Sequence, residues 1–362
     1  MLALAMLSGF AILGEASLRI ARFAYPSVAE RDVIWSPERD PALFEKRVYQ
    51  RDEHEIWKPV PGAELPWAPA EHLDASGFRG QAVPLARTAG VVRIAILGSD
   101  EALGVGLPFE DTWPCLLRQV IEAHGVRAEV LCAAVENSTL RQGIERWRAE
   151  LRPFHPDLVL CTFAGEYESR AANRGCSDSQ RIADNGGLGF PDPRERPERL
   201  PAWSRDLRLL QCGRWITDVL DGDYWNWLGG ELQEQRLRPL EERFDARGTR
   251  RVSAREFTEL ARQLRDEVEA EKCKLILFPI AGERALRGEA GAVRDYQTLL
   301  VEAAVREKIP RISALDRFEI ALRSGSRIED FFSAGRLNLH GHKFLADEIG
   351  HVIVPRLKEL KF

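Results

Sequence analysis

The sequence predicts an α/β fold built on a parallel sheet, and three observations carry that expectation. From Val91 onward, short runs rich in Val, Ile and Leu alternate with helical patterns, the texture of successive βαβ units. The runs are nearly continuous in apolar residues, as strands covered on both faces require. A chain of 362 residues with 44% hydrophobic and 30% charged content can also bury one large core, which excludes disorder as its main state.

The elements follow in order. Residues 1–23 form an N-terminal hydrophobic helix: Met1 to Gly14 carries no charge, and Glu15, Arg19 and Arg22 follow on what reads as its continuation. The run is shorter than the roughly 20 apolar residues of a free-standing span. It also lacks the basic leader and the small-residue cleavage site of a signal peptide. A buried or amphipathic helix and a short membrane anchor both fit. Residues 24–90 form a lead segment rich in Pro, Trp, Glu and Arg, in which Trp57 to Trp67 reads as extended and turn-broken. Strands are expected at Val92–Leu97, Ala128–Ala133, Leu158–Phe163, Lys274–Ile280 and Arg311–Leu315. Residues 167–258, between the third and fourth, are too many for a crossover and read as an insertion or cap.

Charge and cysteine usage exclude other classes. Lys and Arg total 51 against 56 Asp and Glu, for a net charge of -5 with no long single-sign block, so nucleic acid is not an expected partner. The 6 cysteines include no CxxC pair, which argues against structural zinc. Cys132, Cys161 and Cys273 lie on or beside expected strands and read as buried thiols, whereas pairing of Cys176 with Cys212 stays open. No cofactor is implied. Asp100, Glu136 and Glu166 are oxygen donors suited to magnesium or calcium, but no metal-loop spacing accompanies them, so no metal site is expected.

In open parallel sheets ligands sit beyond the carboxyl ends of the strands, which directs attention to the turns there. They read Gly98-Ser99-Asp100 with Gly104, then Ala134-Val135-Glu136-Asn137-Ser138, then Ala164-Gly165-Glu166-Tyr167, and finally Ser333 to Asn338 leading into the last helix. Together with Ser76-Gly77-Phe78-Arg79-Gly80 upstream, Thr112-Trp113-Pro114, and Leu337-Asn338-Leu339-His340-Gly341-His342 with Ala346, these pieces resemble the SGNH/GDSL hydrolases, in the subgroup with an N-terminal anchor and a lead segment. The resemblance covers most of the chain. It implies a three-layer α/β/α sandwich with a five-stranded parallel sheet in flavodoxin-like order. It also implies a Ser–His–Asp esterase chemistry, an N-terminal membrane anchor and a place outside the cytoplasm.

The residues depart from that chemistry. The nucleophile position holds Asp100, and the acid and base positions hold Ser333 and Arg336. The oxyanion positions fall on Ala134 or Asn137 and on Glu166. Arg336 stays protonated and cannot act as a base, and Glu166 would set negative charge where an oxyanion must be stabilised. The expectation is therefore a domain without serine-esterase activity. Asp100, Glu166 and Arg336, with Glu136, would compose a polar site, either as an Asp100–Arg336 ion pair or as a pocket for a polysaccharide or acylated small molecule. A rebuilt Ser99–His340–Asp330 set is the alternative enzyme, and a purely structural partner protein the third reading. His342 is expected to pack or to cap a helix. Trp225 and Trp227 are expected to pack the insertion, and the Arg/Glu run from Glu231 to Arg251 to be a solvated helix face.

Overall fold

The computed structural model describes residues 12–21, 48–169, 177–183, 207–221, 250–280, 282–288 and 291–359. The first element is a helix over 12–20, α1. The lead segment then forms two small antiparallel hairpins, β1 (Tyr49–Asp52) with β2 (Ile56–Pro59) and β3 (Glu64–Leu65) with β4 (Ala68–His72). The main domain runs β5 (Val92–Leu97), α2 (Asp100–Leu103), α3 (Trp113–Ala123), β6 (Ala128–Cys132), α4 (Leu140–Arg146) and β7 (Leu158–Cys161). Two helices of the insertion follow, α5 (Asp178–Ala183) and α6 (Arg208–Asp221). After them come α7 (Ala254–Ala270), β8 (Lys274–Leu277), α8 (Gly291–Arg306), α9 (Ala314–Arg323), the hairpin β9 (Phe332–Ser333) with β10 (Arg336–Leu337), and α10 (Leu339–Glu359).

The central sheet is parallel, in the order β6-β5-β7-β8. Every residue of β5 is buried, and its side chains alternate between two cores. Ile94 and Ile96 pack with Trp113, Leu117 and Ile121 of α3 and with Leu345, Ile349 and Ile353 of α10. Ala95 and Leu97 pack with Ile144 of α4, Phe257 and Leu264 of α7, and Tyr296 and Leu300 of α8. Helices on both faces of a parallel sheet make the expected three-layer α/β/α sandwich, and the strand order is the flavodoxin-like one.

The fifth strand differs from expectation. It is reduced to a single parallel bridge between Leu277 and Arg311, flanked by Leu277 N donating to Pro310 O at 2.9 Å and Ile312 N donating to Leu277 O at 2.8 Å. Ser313 ends it, because its side chain accepts the Asp316 N–H and caps α9, which draws Ala314 and Leu315 into a helix.

The lead segment is stitched to the domain by Arg79, which is 2% exposed. Its guanidinium donates to the carbonyls of Leu103, Gly104 and Leu107 and pairs with Glu71 at 2.9 Å. The carbonyls at the end of α2, which have no partner within the helix, are thereby satisfied. Among the described residues, no helix is long and apolar enough to cross a membrane.

Candidate functional site

The turn after β5 is tight. A Cβ on Gly98 would lie 1.9 Å from Thr162 Oγ1 and 2.8 Å from Ala102 Cβ, so only glycine fits where β5 hands over to α2. Ser99 follows as the N-cap and Asp100 opens α2. Asp100 Oδ1 accepts the Asn137 N–H at 2.6 Å and the Ser99 hydroxyl at 3.1 Å. A fixed carboxylate thus stands at the carboxyl edge of the sheet.

Asn137 holds a left-handed backbone with φ of 56°, a conformation that asparagine tolerates better than most residues. It is kept there by Arg251, which donates to Asn137 O at 2.7 Å and to Oδ1 at 3.3 Å. Arg251 also donates to Gln142 Oε1, pairs with Asp178 at 2.8 Å and lies over the Trp57 ring, 5.3 Å from its centroid. Asp178 in turn accepts from Thr139 Oγ1 at 2.8 Å. Arg250 and Arg251 were expected on a solvated face. Both are 2% exposed instead, and Arg251 is held there by a buried carboxylate and three further acceptors. The residues of that run before Arg250 lie outside the described residues.

Arg336 does not meet Asp100. No ion pair joins them among the described residues, since Asp100 is committed to Ser99 and Asn137 while Arg336 arrives on β10. Its Nη2 stands 4.0 Å from Glu136 Oε1, with Arg336 half-exposed and Glu136 buried. Ser333 is exposed and faces Arg336 across the hairpin. Glu166 is half-buried against the loop after β8, where a Cβ on Gly282 would come 2.8 Å from its Oε2. Ala134 and Asn137 are buried, and Asn137 Nδ2 has no hydrogen-bond partner.

The rebuilt set is not assembled either. Ser99 donates to Asp100, and His340 is exposed with its ring edge-on to Phe331 at 5.4 Å. Asp330 accepts the Arg327 N–H at 2.7 Å, which holds its carboxyl below the usual range. No serine among the described residues hydrogen-bonds a histidine. His342 is 2% exposed, and its Nδ1 accepts the Trp113 N–H at 3.0 Å, so it caps α3 as a neutral ring. Burial, with Arg79 near, pushes its pKa down to about 4.

Two residues of the lead segment enter the site without having been singled out in the sequence. Tyr49 is 3% exposed, and burial beside the Glu136 and Asp100 carboxylates drives its phenol well above the usual range. Trp57 Nε1 donates to Glu136 O at 3.4 Å. A buried aromatic pair in an otherwise polar, Pro-rich stretch was the available signal. Trp225, Trp227 and Cys176 lie outside the described residues. Burial pushes the Cys132 thiol up to about 11 and the Cys161 thiol up to about 12, as expected of inert core cysteines.

The carboxyl edge of the sheet therefore carries the carboxylates of Asp100 and Glu136, with Glu166 against the loop after β8, the half-exposed cation of Arg336 and the buried phenol of Tyr49. It can accept and donate hydrogen bonds, and among the described residues no serine there is hydrogen-bonded to a base. Among the described residues no group of His, Cys, Asp and Glu is placed to hold a metal ion.

No family model matches the chain, and no curated protein matches it. Several solved structures are similar to it. A lipase/acylhydrolase from Enterococcus faecalis is 14% identical, over 73% of this chain and 96% of that one, with a TM-score of 0.44. An acetylxylan esterase from Geobacillus stearothermophilus is 12% identical, over 75% of this chain and 94% of that one, with a TM-score of 0.43. A GDSL-like lipase from Bacteroides thetaiotaomicron is 12% identical, over 73% and 88%, with a TM-score of 0.38. Likeness of this degree leaves the chemistry to the chain's own residues.

Proposed function

We propose that this chain is an SGNH/GDSL-hydrolase-like domain that binds a hydroxyl-rich ligand, a polysaccharide or its acylated form at the cell envelope, without hydrolysing esters. The carboxylate of Asp100 carries the reading: it occupies the turn where a nucleophile would stand, with Oδ1 already taken by the Asn137 N–H and the Ser99 hydroxyl. A carboxylate so held is an acceptor for sugar hydroxyls and a poor attacking group. Arg336, half-exposed and within 4.0 Å of Glu136, supplies the donor at the mouth. Oxyanion stabilisation is opposed by the nearby acids.

Calorimetric titration with plain and O-acetylated polysaccharide tests this. Saturable binding that is lost in Arg336→Ala, with no acetate released, is expected. Turnover of p-nitrophenyl acetate that persists in Asp100→Ala and vanishes in Ser99→Ala would replace this reading with an esterase of rearranged site.

A further inference from the structure

We propose that Arg146, Glu55 and Glu150 form a one-proton clasp that holds the β1–β2 hairpin over the carboxyl edge of the sheet and releases it when both carboxyls ionise. Glu55 lies in the turn of the hairpin, and Arg146 is the last residue of α4. Both side chains are 3% exposed, and Glu55 Oε2 lies 3.4 Å from Arg146 Nη1. Glu150 Oε2 stands 3.8 Å from the same nitrogen. One buried guanidinium therefore faces two acids.

The contacts set the number of protons. Arg146 Nε donates to Ala133 O at 2.8 Å and Nη2 to Gly77 O at 3.0 Å. Glu150 Oε2 is buried and finds no N–H donor among the described residues, while the Glu55 carboxyl is within hydrogen-bond reach of Glu150. Two carboxyls share a hydrogen bond only when one of them carries a proton. With that proton, one carboxylate balances one cation. Without it, a second negative charge is buried unpaired. Burial and the Glu150 charge accordingly drive Glu55 well above the usual carboxylate range, against the pull of Arg146. The other charges that face Glu55 are Asp52 and Lys58 of the hairpin itself, which pair with each other at 2.5 Å.

The clasp holds a wall of the candidate site. Gln142 Nε2 donates to Glu55 O at 2.6 Å, and two residues on, Trp57 Nε1 donates to Glu136 O. Tyr49, on β1, is buried beside Glu136 and Asp100. Between Glu55 and Trp57, Ile56 is fully buried with φ of 65°, a left-handed backbone that a β-branched residue adopts only where its surroundings impose it. A cavity lined by Glu55, Trp57, Gly98, Ser138, Gln142 and Arg146 lies between the hairpin and the turn after β5, so this interface is incompletely packed. Lifting the hairpin returns Glu55 to water, where it ionises in the ordinary range, so opening releases a proton. The opening constant rises by up to tenfold per pH unit above about pH 5 and levels off once the closed form has itself lost the proton.

The test uses the full chain carrying Val135→Cys. Val135 is 3% exposed and packs with Tyr49, Ile56 and Trp57 of the hairpin, so a thiol there meets iodoacetamide only when the hairpin lifts. Labelling at 135, read by peptide mass and divided by the rate of free cysteine at each pH, should rise by up to tenfold per unit from about pH 5 to about pH 7. Cys161, 2% exposed in the sheet, reports global unfolding and should stay slower throughout. Adding Glu55→Gln, which supplies an N–H to Glu150 and cannot ionise, should leave the rate at 135 low and independent of pH. Glu150→Gln, which removes the second acid from the other side, should flatten the profile as well. A slope that survives in either variant overturns the proposal. So does labelling at 135 that is independent of pH before either Gln is added, or that runs at the rate of Cys161.

Discussion

Two buried groups titrate in opposite senses, and removing either should tilt the pH dependence of stability in a calculable direction. His342 is neutral in the native state because its Nδ1 accepts the Trp113 N–H, and its pKa falls from 6.5 to about 4. Glu168 is 1% exposed, accepts the Leu140 N–H at 2.8 Å, and is pushed by burial from 4.5 up to about 7. Between pH 4.5 and 6.5 the unfolded chain therefore carries a proton on His342 that the native state lacks. Over the same window the native state carries a proton on Glu168 that the unfolded chain lacks. Stability rises with pH where the unfolded state binds more protons, so His342 adds a positive slope, Glu168 a negative one, and the two cancel. His342→Leu removes the positive slope. Relative to the parent protein, its unfolding free energy should fall by about 2 kcal/mol from the lower to the upper end of the window, with a slope approaching about 1.4 kcal/mol per pH unit at its middle. Glu168→Gln should move by the same amount in the opposite sense. Urea unfolding followed by tryptophan fluorescence reads both, and subtracting the parent curve at each pH cancels the other titrating groups. Variant and parent curves that stay parallel across the window would refute the assignment of these protonation states.

Other predictions concern the parts that shape the site. Gly98→Ala forces a methyl group against Thr162 Oγ1 and should cost on the order of 3 kcal/mol in thermal or chemical unfolding, with part recovered in the Gly98→Ala, Thr162→Ala double variant. Asp178→Asn leaves the Arg251 guanidinium buried without its charge partner and should destabilise the protein by about 3–5 kcal/mol, whereas Arg255→Ala, exposed on α7, should change stability by less than about 1 kcal/mol. Cys132 and Cys161 should resist alkylation in the native protein and react on unfolding, read by intact mass.

The sheet was the most legible part of the molecule, because period and apolar content report burial directly. The start and end of β5 match the expected Val92–Leu97, and β6, β7 and β8 begin at the expected residues and end one to three residues early. Inter-strand hydrogen bonds run on past these ends, from Ala133 N to Ile96 O at 3.0 Å, Thr162 N to Leu97 O at 2.8 Å and Phe278 N to Cys161 O at 2.7 Å, before the chain turns away at the carboxyl edge of the sheet. The fifth strand was misread: Arg311–Leu315 looks apolar enough, but Ser313 supplies a cap and the chain turns helical. At the site, Asp100, Glu136 and Arg336 were visible in the turns after the strands, yet which acid Arg336 approaches depends on the path of the β9–β10 hairpin. Arg251 and Tyr49 were not visible. Both come from segments whose local sequence is charged or Pro-rich, and each is buried only because a distant element supplies its partner: Asp178 for the first, the Glu136 loop for the second.

The central claim is that the turn after β5 presents a held carboxylate and no activated serine. Incubation of the intact protein with a fluorophosphonate, followed by mass spectrometry of the whole chain, tests it most directly, because the reagent needs only a serine made nucleophilic by a base. The account predicts an unchanged mass. A single stoichiometric adduct that maps to Ser99, or to any other serine beside this site, would contradict it.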